Sequence, residues 1–173
     1  PMDLGGYMEM HNNKRTIGFT NCDRYYAKGT HGVNGVITIP DLKGQDNTFL
    51  TDLFKKVNDN FGHHTGDEVL KSISKIISQN IRATDTLCRW GGEEFIILLP
   101  GTSLMQAKVV ANNLRKIIDE YDFRGIEYPI TCSFGVAIFN NDDTKEVLFK
   151  RVDNVLYKAK NSGKNIVIGE DEI

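Results

Sequence analysis

Residues 86–99 read Thr-Leu-Cys-Arg-Trp-Gly-Gly-Glu-Glu-Phe-Ile-Ile-Leu-Leu, and this stretch decides the fold. Two apolar segments flank Gly91-Gly92, which predicts two strands joined by a two-residue hairpin turn, because glycine adopts positive φ without strain. A bare Gly-Gly turn is usually only structural. Here Glu93 and Glu94 follow it directly at the start of the second strand, where successive side chains point to opposite faces of the sheet. Carboxylates beside glycines that allow close approach to the backbone suit a phosphate held over a divalent cation.

Helical and strand patterns alternate on both sides of this hairpin. Apolar residues recur at helical spacing in four segments: 49–58, 67–81, 107–118 and 148–159. Continuous apolar runs predict further strands at 35–39, 130–139 and 166–168. Ser103 and Gln106 form the pattern of a capping box before the third helical segment. We therefore predict an α/β fold with a mixed central β-sheet flanked by helices.

Length and charge limit the function. The chain has 173 residues, which suits one domain, and its net charge of −2 argues against binding to a nucleic acid polymer. No run of about 18 apolar residues is present, so no membrane contact is expected. The first residues lack the order of a signal peptide. Three widely spaced cysteines, Cys22, Cys88 and Cys132, predict neither a disulfide framework nor structural zinc, and favour a cytoplasmic location.

Two polar clusters lie away from the hairpin. Asn58 and Asp67 present an amide and a carboxylate, which complement the edge of a guanine; alternatively, Asp67 only caps the helix that follows it. Lys160 and Lys164 lie at the end of the last helix and in its glycine-containing exit, where both reach one phosphate chain. The alternative is that they are solvated lysines that offset the helix dipole.

Together these motifs resemble the GGDEF-domain diguanylate cyclases. The matching segments are Phe-Lys-Lys-Val-Asn-Asp at 54–59, Gly-His at 62–63, Gly-Asp at 66–67, Arg-Trp-Gly-Gly-Glu-Glu-Phe at 89–95, Ile-Thr-Cys-Ser-Phe-Gly-Val-Ala at 130–137 and Asp-x-x-Leu-Tyr-x-Ala-Lys at 153–160. They occur in the family's order and spacing from about residue 49 to the end. Residues 1–48 match poorly, and only Asn13-Lys14-Arg15 is similar to an element near the family's start.

The resemblance implies a palm-like fold, similar to adenylyl cyclases and polymerases, in one catalytic domain over residues 1–173. It implies that the domain joins two GTP into cyclic di-GMP with release of pyrophosphate. Each domain holds one GTP with Mg²⁺ or Mn²⁺, and two domains face each other, so a homodimer is needed for catalysis. Family members usually carry a sensory or receiver domain upstream, so the chain is expected to be an output domain of a longer signalling protein.

The hairpin residues take their roles from the same resemblance. Glu93 would coordinate the metal, as a functional variant of the family's aspartate. Glu94 would help hold the metal site or activate the 3′-hydroxyl. Gly91 and Gly92 would let the triphosphate lie against the hairpin.

The remaining matched residues would bind the nucleotide. Asn58 and Asp67 would recognise guanine. Lys160 and Lys164 would hold the terminal phosphates, and Lys55 would assist.

The second metal carboxylate is the weakest part of the match. The family's apolar strand runs into an Asp-x-Asp pair directly before Phe-Lys, but an ungapped match here places Leu50 at the metal position and keeps only Asp52. The apolar run ends at Ile39, and Asp41 follows it closely. We therefore expect Asp41 to be the second ligand, with 43–51 as an inserted loop. The rival interpretation is a half-built site that binds nucleotide without turnover.

A product-binding site is also implied. Arg82-Ala83-Thr84-Asp85 resembles the family's inhibitory RxxD motif, at which cyclic di-GMP binds. Arginine stacks on guanine, and a carboxylate accepts its N–H protons. An ordinary surface ion pair is the alternative. A second arginine often comes from the following helix, where this chain has Asn113 and then Arg115.

Three functions remain open from the sequence. The first is an active diguanylate cyclase, inhibited by its product. The second is a degenerate GGDEF domain that binds cyclic di-GMP or GTP as a regulatory module. The third is a cyclase that makes mixed cyclic dinucleotides; Asp67 argues against this, because a carboxylate pairs with the N–H donors of guanine and repels the acceptor N1 of adenine.

Overall fold

The computed structural model describes residues 9–11, 14–16, 33–39, 52–89, 94–140 and 142–173. Within them, seven strands and three α-helices follow one another. The strands are β1 (Glu9–His11), β2 (Lys14–Thr16), β3 (Val33–Ile39), β4 (Thr86–Arg89), β5 (Phe95–Pro100), β6 (Phe134–Ile138) and β7 (Val167–Gly169). The helices are α1 (Asp52–Asn80), α2 (Leu104–Asp119) and α3 (Lys145–Asn161). A short 3₁₀ turn, Glu170–Glu172, follows β7.

The main sheet is mixed, which confirms the predicted fold class. Its strand order is β4-β5-β3-β6-β7; β6 and β7 are parallel, and the other neighbours are antiparallel. β1 and β2 form a separate antiparallel pair. The strand predicted at 35–39 is therefore the central strand β3.

Helices cover both faces of this sheet. Phe95, Ile97 and Leu99 of β5 belong to the core shared with α1 and α2. Ile96 and Leu98, which alternate with them, pack in a second cluster with residues of α3. Because successive strand residues point to opposite faces, β5 is buried on both sides. The strand that leaves the Glu93-Glu94 hairpin is thus fixed from two directions.

α1 differs from the two separate helices that the sequence predicts. It runs from Asp52 to Asn80 with one non-helical residue, Gly62, at φ 81° and ψ 160°. Glycine tolerates this conformation, so the chain changes direction there and resumes the helix at once. The prediction of two separate helices is therefore wrong, because only Gly62 leaves the helical conformation. Asn58 and Asp67 therefore lie on two helical segments joined at a kink.

Two further strand predictions need correction. β4 and β5 pair as predicted, but Arg89 lies opposite Phe95. A two-residue Gly91-Gly92 turn would place Arg89 opposite Glu94, so the predicted turn does not fit this register. The strand expected over 130–139 is shorter in the structure: β6 spans Phe134–Ile138, and its pairing with β7 begins at Phe134.

The helix ends agree with the sequence signals. The Ser103 backbone N–H donates to Gln106 Oε1 at 3.0 Å, and the Gln106 N–H donates to Ser103 Oγ at 3.4 Å, which confirms the capping box. Thr144 caps α3 by accepting from the Val147 N–H at 3.4 Å. None of the described helices has the length and apolar composition needed to cross a bilayer.

Both cysteines in the described residues are buried. Cys88 lies in β4 and belongs to the core. Cys132 is a buried free thiol. Burial raises the pKa of the Cys132 thiol to about 12, so it stays protonated near neutral pH and is a poor nucleophile.

Basic residues of α2 and α3, the helices on opposite faces of the sheet, form salt bridges with the acidic turn after β7. Lys108 of α2 pairs with Asp171 at 3.3 Å and with Glu172 at 2.5 Å, and its hydrogen bond lowers the pKa of Glu172. Arg151 of α3 pairs with Glu170 at 2.6 Å. These contacts join the layers on opposite faces of the sheet at its β7 edge.

The contact between β6 and α3 leads to a stability prediction at Gly135. A Cβ added there would lie 2.9 Å from the backbone N and 3.1 Å from the Cα of Leu156. Backbone atoms of a packed helix cannot move aside cheaply, so Gly135→Ala is expected to lower the free energy of unfolding by about 1–3 kcal/mol. Urea denaturation of the wild type and the variant measures this change. An unchanged midpoint would mean that α3 shifts freely on the sheet.

Candidate functional site

The candidate site is built around the hairpin between β4 and β5. Gly91, Gly92 and Glu93 lie outside the described residues, but the strands that flank them are described. Glu94 is half-buried and directly precedes the buried Phe95. The tip of the hairpin is therefore attached to a strand packed on both faces, which is the rigid support that a metal-binding carboxylate requires.

The start of β5 lies beside the end of β3. Ile39 pairs with Phe95 in an antiparallel register, and Thr38 pairs with Ile96. β3 therefore ends next to the residue that follows Glu94. Asp41, the predicted second metal ligand, lies outside the described residues, as does the 43–51 loop expected after it.

The donor chemistry of the hairpin suits a divalent metal ion. Mg²⁺ and Mn²⁺ prefer carboxylate oxygens, and Glu93-Glu94 supplies two of them beside the hairpin. In the described part of the chain no group of three His, Cys, Asp or Glu side chains could hold a metal. Glu93 and Asp41, the predicted metal ligands, are not among the residues described.

The kink of α1 places Asp67 inside the second helical segment. Asp67 is exposed and lies several residues after Gly62, within continuous helix. The alternative that Asp67 only caps this helix is therefore wrong, because a capping residue lies at the first non-helical position. Its carboxylate is available to a ligand.

Asn58 lies before the kink and is half-buried. Its Oδ1 atom is buried and has no hydrogen-bond partner within the described chain. Leaving a buried acceptor unsatisfied costs about 1–3 kcal/mol. Such an atom in a native fold needs an explanation, and a bound ligand that donates a hydrogen bond is one.

The hydroxyl of Tyr128 is a second orphan atom, which here means a buried polar atom without a hydrogen-bond partner among the described residues. The sequence did not reveal it. It is buried and forms no hydrogen bond within the described residues. The ring of Tyr128 contacts that of Phe61, with centroids 6.1 Å apart and an interplanar angle of 48°. Tyr128 precedes the Ile130–Ala137 motif, and nothing in its local sequence pattern marks it.

The predicted product site forms a tight turn between α1 and β4. The Asp85 carboxylate accepts from the Arg82 backbone N–H at 2.7 Å, and the Asp85 N–H donates to the Arg82 carbonyl at 3.1 Å. The carboxylate thus binds the backbone of Arg82. The side chain of Arg82 is exposed, so the turn fixes Asp85 and presents Arg82 to the solvent.

Arg115 does not supply a second free arginine. Its Nε donates to Asn112 Oδ1 at 3.1 Å, and one terminal nitrogen donates to Asn165 Oδ1 at 3.0 Å. Asn165 also donates to Asp119 at 3.1 Å. Arg115 is therefore used to fasten α2 to the segment after α3.

The lysines predicted to bind phosphate lie close to that segment in sequence. Lys160 is in the last turn of α3, and Lys164 follows Gly163. Lys164 and Asn165 both have positive φ, at 61° and 48°, an uncommon conformation for residues with a side chain. Both lysines are half-buried and engaged in interactions. The side chain of Lys55 lies outside the described residues.

Comparison with known proteins agrees with the motifs. The family model of the diguanylate cyclase GGDEF domain matches residues 49–166. Response regulator PleD of Caulobacter vibrioides is 44% identical over 124 residues, covering 69% of this chain and 27% of PleD. Diguanylate cyclase DgcM of Escherichia coli K12 is 42% identical over 118 residues, covering 68% of this chain and 28% of DgcM. The chain thus spans less than a third of the length of these relatives.

One solved structure is similar to this chain over most of the length of both proteins. The active GGEEF domain of a diguanylate cyclase from Vibrio cholerae has a TM-score of 0.69 and 31% identity, covering 87% of this chain and 90% of that domain. Both carry the Gly-Gly-Glu-Glu-Phe sequence, so the motif that marks the candidate site is shared.

Proposed function

Because the chain belongs to the diguanylate cyclase GGDEF domain family, we propose that it condenses two GTP into cyclic di-GMP with release of two pyrophosphates. The observation that carries the proposal is the pairing of Ile39 with Phe95. If β3 and β5 paired in the same register for two more residues, Asp41 would lie opposite Glu93. Two carboxylates from adjacent strands would then face one metal ion at the hairpin. The reaction takes place in the cytoplasm, where GTP is made.

The chemistry is a nucleotidyl transfer. The 3′-hydroxyl oxygen of one GTP bonds to the α-phosphorus of the other, the bond from that phosphorus to the β-phosphate oxygen breaks, and pyrophosphate leaves. Repeating the step in the other direction closes the ring. Glu93 and Asp41 would hold Mg²⁺ or Mn²⁺, which would supply charge neutralisation at the phosphates. Glu94 helps to hold the metal site or accepts the proton of the hydroxyl.

Base and phosphate recognition use residues of α1 and α3. Asp67, an exposed carboxylate, accepts from the N1 and N2 protons of guanine, and Asn58 complements the same edge. Lys160 and Lys164 bind the terminal phosphates, with Lys55 assisting. Each domain presents one GTP, so the transfer requires two copies of the chain facing each other.

One sequence feature supports a second candidate, a GGDEF domain that binds GTP or cyclic di-GMP without turnover. Leu50 stands where an ungapped match requires a metal-binding aspartate, and leucine cannot ligate Mg²⁺.

Incubating the chain with GTP, ATP and Mg²⁺ and separating the products distinguishes the candidates. We expect cyclic di-GMP alone; bound nucleotide without product would support the receptor, and mixed cyclic dinucleotides would support relaxed base choice.

Product inhibition is expected to act through the Arg82 turn. Arg82→Ala removes an exposed guanidinium but keeps the backbone N–H that binds Asp85, so the fold is retained. We expect cyclic di-GMP to bind this variant about tenfold more weakly or worse, because hydrogen bonds to charged groups are the strong ones. The initial rate without product should stay unchanged. Calorimetry and inhibition curves measure both effects.

The exposed Arg124 provides the matched control. Arg124→Ala removes the same charge elsewhere on the surface, so it should leave the affinity for cyclic di-GMP unchanged. Equal affinity of the wild type and Arg82→Ala for cyclic di-GMP would exclude this turn as the inhibitory site.

A further inference from the structure

The buried hydroxyl of Tyr128 has no hydrogen-bond partner among the described residues. The ring of Tyr128 packs against the core formed by α1, α2 and the sheet, so the side chain is fixed. Its oxygen is buried, yet it makes no hydrogen bond to any part of the chain that the structure describes. A phenylalanine would fill the same space without this polar atom. The hydroxyl therefore needs a partner that is not among the described residues.

Tyr128 lies beside the helix face that carries Asn58. Its ring contacts Phe61, with centroids 6.1 Å apart. Asn58 and Phe61 are three residues apart in continuous helix, so their side chains are neighbours on one face of α1. Asn58 Oδ1 is the other buried oxygen in this region without a partner among the described residues. The two residues that carry these oxygens are thus both neighbours of Phe61, Tyr128 by ring contact and Asn58 by helical spacing.

The two orphan oxygens fit one kind of ligand. An amide oxygen only accepts hydrogen bonds, whereas a tyrosine hydroxyl donates one and also accepts. A guanine edge offers both types of partner: N–H donors at N1 and N2, and acceptors at O6 and N7. A phosphate would offer only acceptors at neutral pH and would leave Asn58 Oδ1 unpaired.

We propose that Tyr128 is a further base-binding residue, whose hydroxyl contacts the edge of the guanine bound by Asn58. The assignment rests on the proposed function, because it takes the ligand at α1 to be GTP. Tyr128 supplies a contact from outside α1, and it comes from a segment far along the chain. The contact to Phe61 positions the ring, and the hydroxyl gives base selectivity.

The test is Tyr128→Phe in the full chain, with GDP and ADP as probes, because GDP carries the same base as GTP without being a substrate for cyclisation. We expect the affinity for GDP to fall at least about fivefold and the affinity for ADP to fall less. The melting temperature of the nucleotide-free variant should stay the same or rise, because the change removes an unpaired buried hydroxyl. If Tyr128 had only a structural role, its replacement would not lower the affinity for GDP more than the affinity for ADP while leaving the melting temperature unchanged or higher.

Tyr121→Phe is the matched control. Tyr121 is exposed and also lies between α2 and β6, so loss of its hydroxyl should change neither nucleotide affinity. The proposal is overturned if Tyr128→Phe binds GDP as the wild type does. It is also overturned if GDP and ADP lose affinity equally, or if the variant melts at a lower temperature.

Asp67→Ala, measured in the same titration, separates this proposal from the function it rests on. If Asp67→Ala weakens GDP binding and Tyr128→Phe does not, only the role of Tyr128 fails. If neither change alters GDP affinity, the guanine site on α1 fails as a whole.

Discussion

Glu93→Gln is expected to reduce cyclic di-GMP formation by at least about 100-fold while leaving the fold intact. The amide has the shape of the carboxylate but lacks the negative charge that Mg²⁺ requires of its ligands. The fold should tolerate the change because the buried strand begins only at Phe95, and the core of β5 contains no part of Glu93. Initial rates measured by chromatography of the product give the loss, and thermal melting gives the fold.

Glu127→Gln controls for the loss of one negative charge. Glu127 is exposed in the segment between α2 and β6, so this variant should be as active as the wild type. Turnover by Glu93→Gln close to that of the wild type would remove Glu93 from the metal site.

Asp41→Asn is the second change with a large expected effect. Excising 43–51 from the sequence leaves Asp41-Leu42-Asp52-Leu53-Phe54-Lys55, which restores an Asp-x-Asp pair shortly before Phe-Lys. The β3–β5 register, in which Ile39 lies opposite Phe95, also favours Asp41 as the residue near Glu93. We expect Asp41→Asn to lose Mn²⁺-dependent activity about 100-fold or more, because one of two metal carboxylates is neutralised.

Asp52→Asn is the matched comparison for this variant. Asp52 is the first residue of α1 and is not one of the two proposed metal ligands. Its replacement should therefore cost less activity than that of Asp41. An inactive Asp52→Asn beside an active Asp41→Asn would reverse the assignment, and an inactive parent protein would favour the receptor function.

Local patterns predicted the fold class and most of its elements. The hairpin strands, the Ser103 capping box and the strand ending at Ile39 each depend on residues close together in sequence, and all are present. The kink was harder to predict. A glycine at position 62 favours the end of a helix, but in the structure helical conformation continues directly before and after Gly62.

Contacts between distant residues could not be predicted in the same way. The position of Arg89 opposite Phe95 depends on the pairing of whole strands, which the Gly-Gly pair alone does not specify. Lys108 has no sequence signal that links it to Glu172, and Tyr128 has none that links it to Phe61. Motifs located the candidate site residues of the hairpin, whereas the orphan oxygen of Tyr128 is visible only in the folded chain.

The most direct test of the central claim is the product balance from GTP alone. The full chain is incubated with GTP and Mg²⁺, or with Mn²⁺, at several protein concentrations, and cyclic di-GMP and pyrophosphate are both quantified. The proposed reaction predicts two pyrophosphates for each cyclic di-GMP, with a specific activity that rises with protein concentration because two copies must meet. Bound GTP without either product, with both metals and at every concentration, would contradict it.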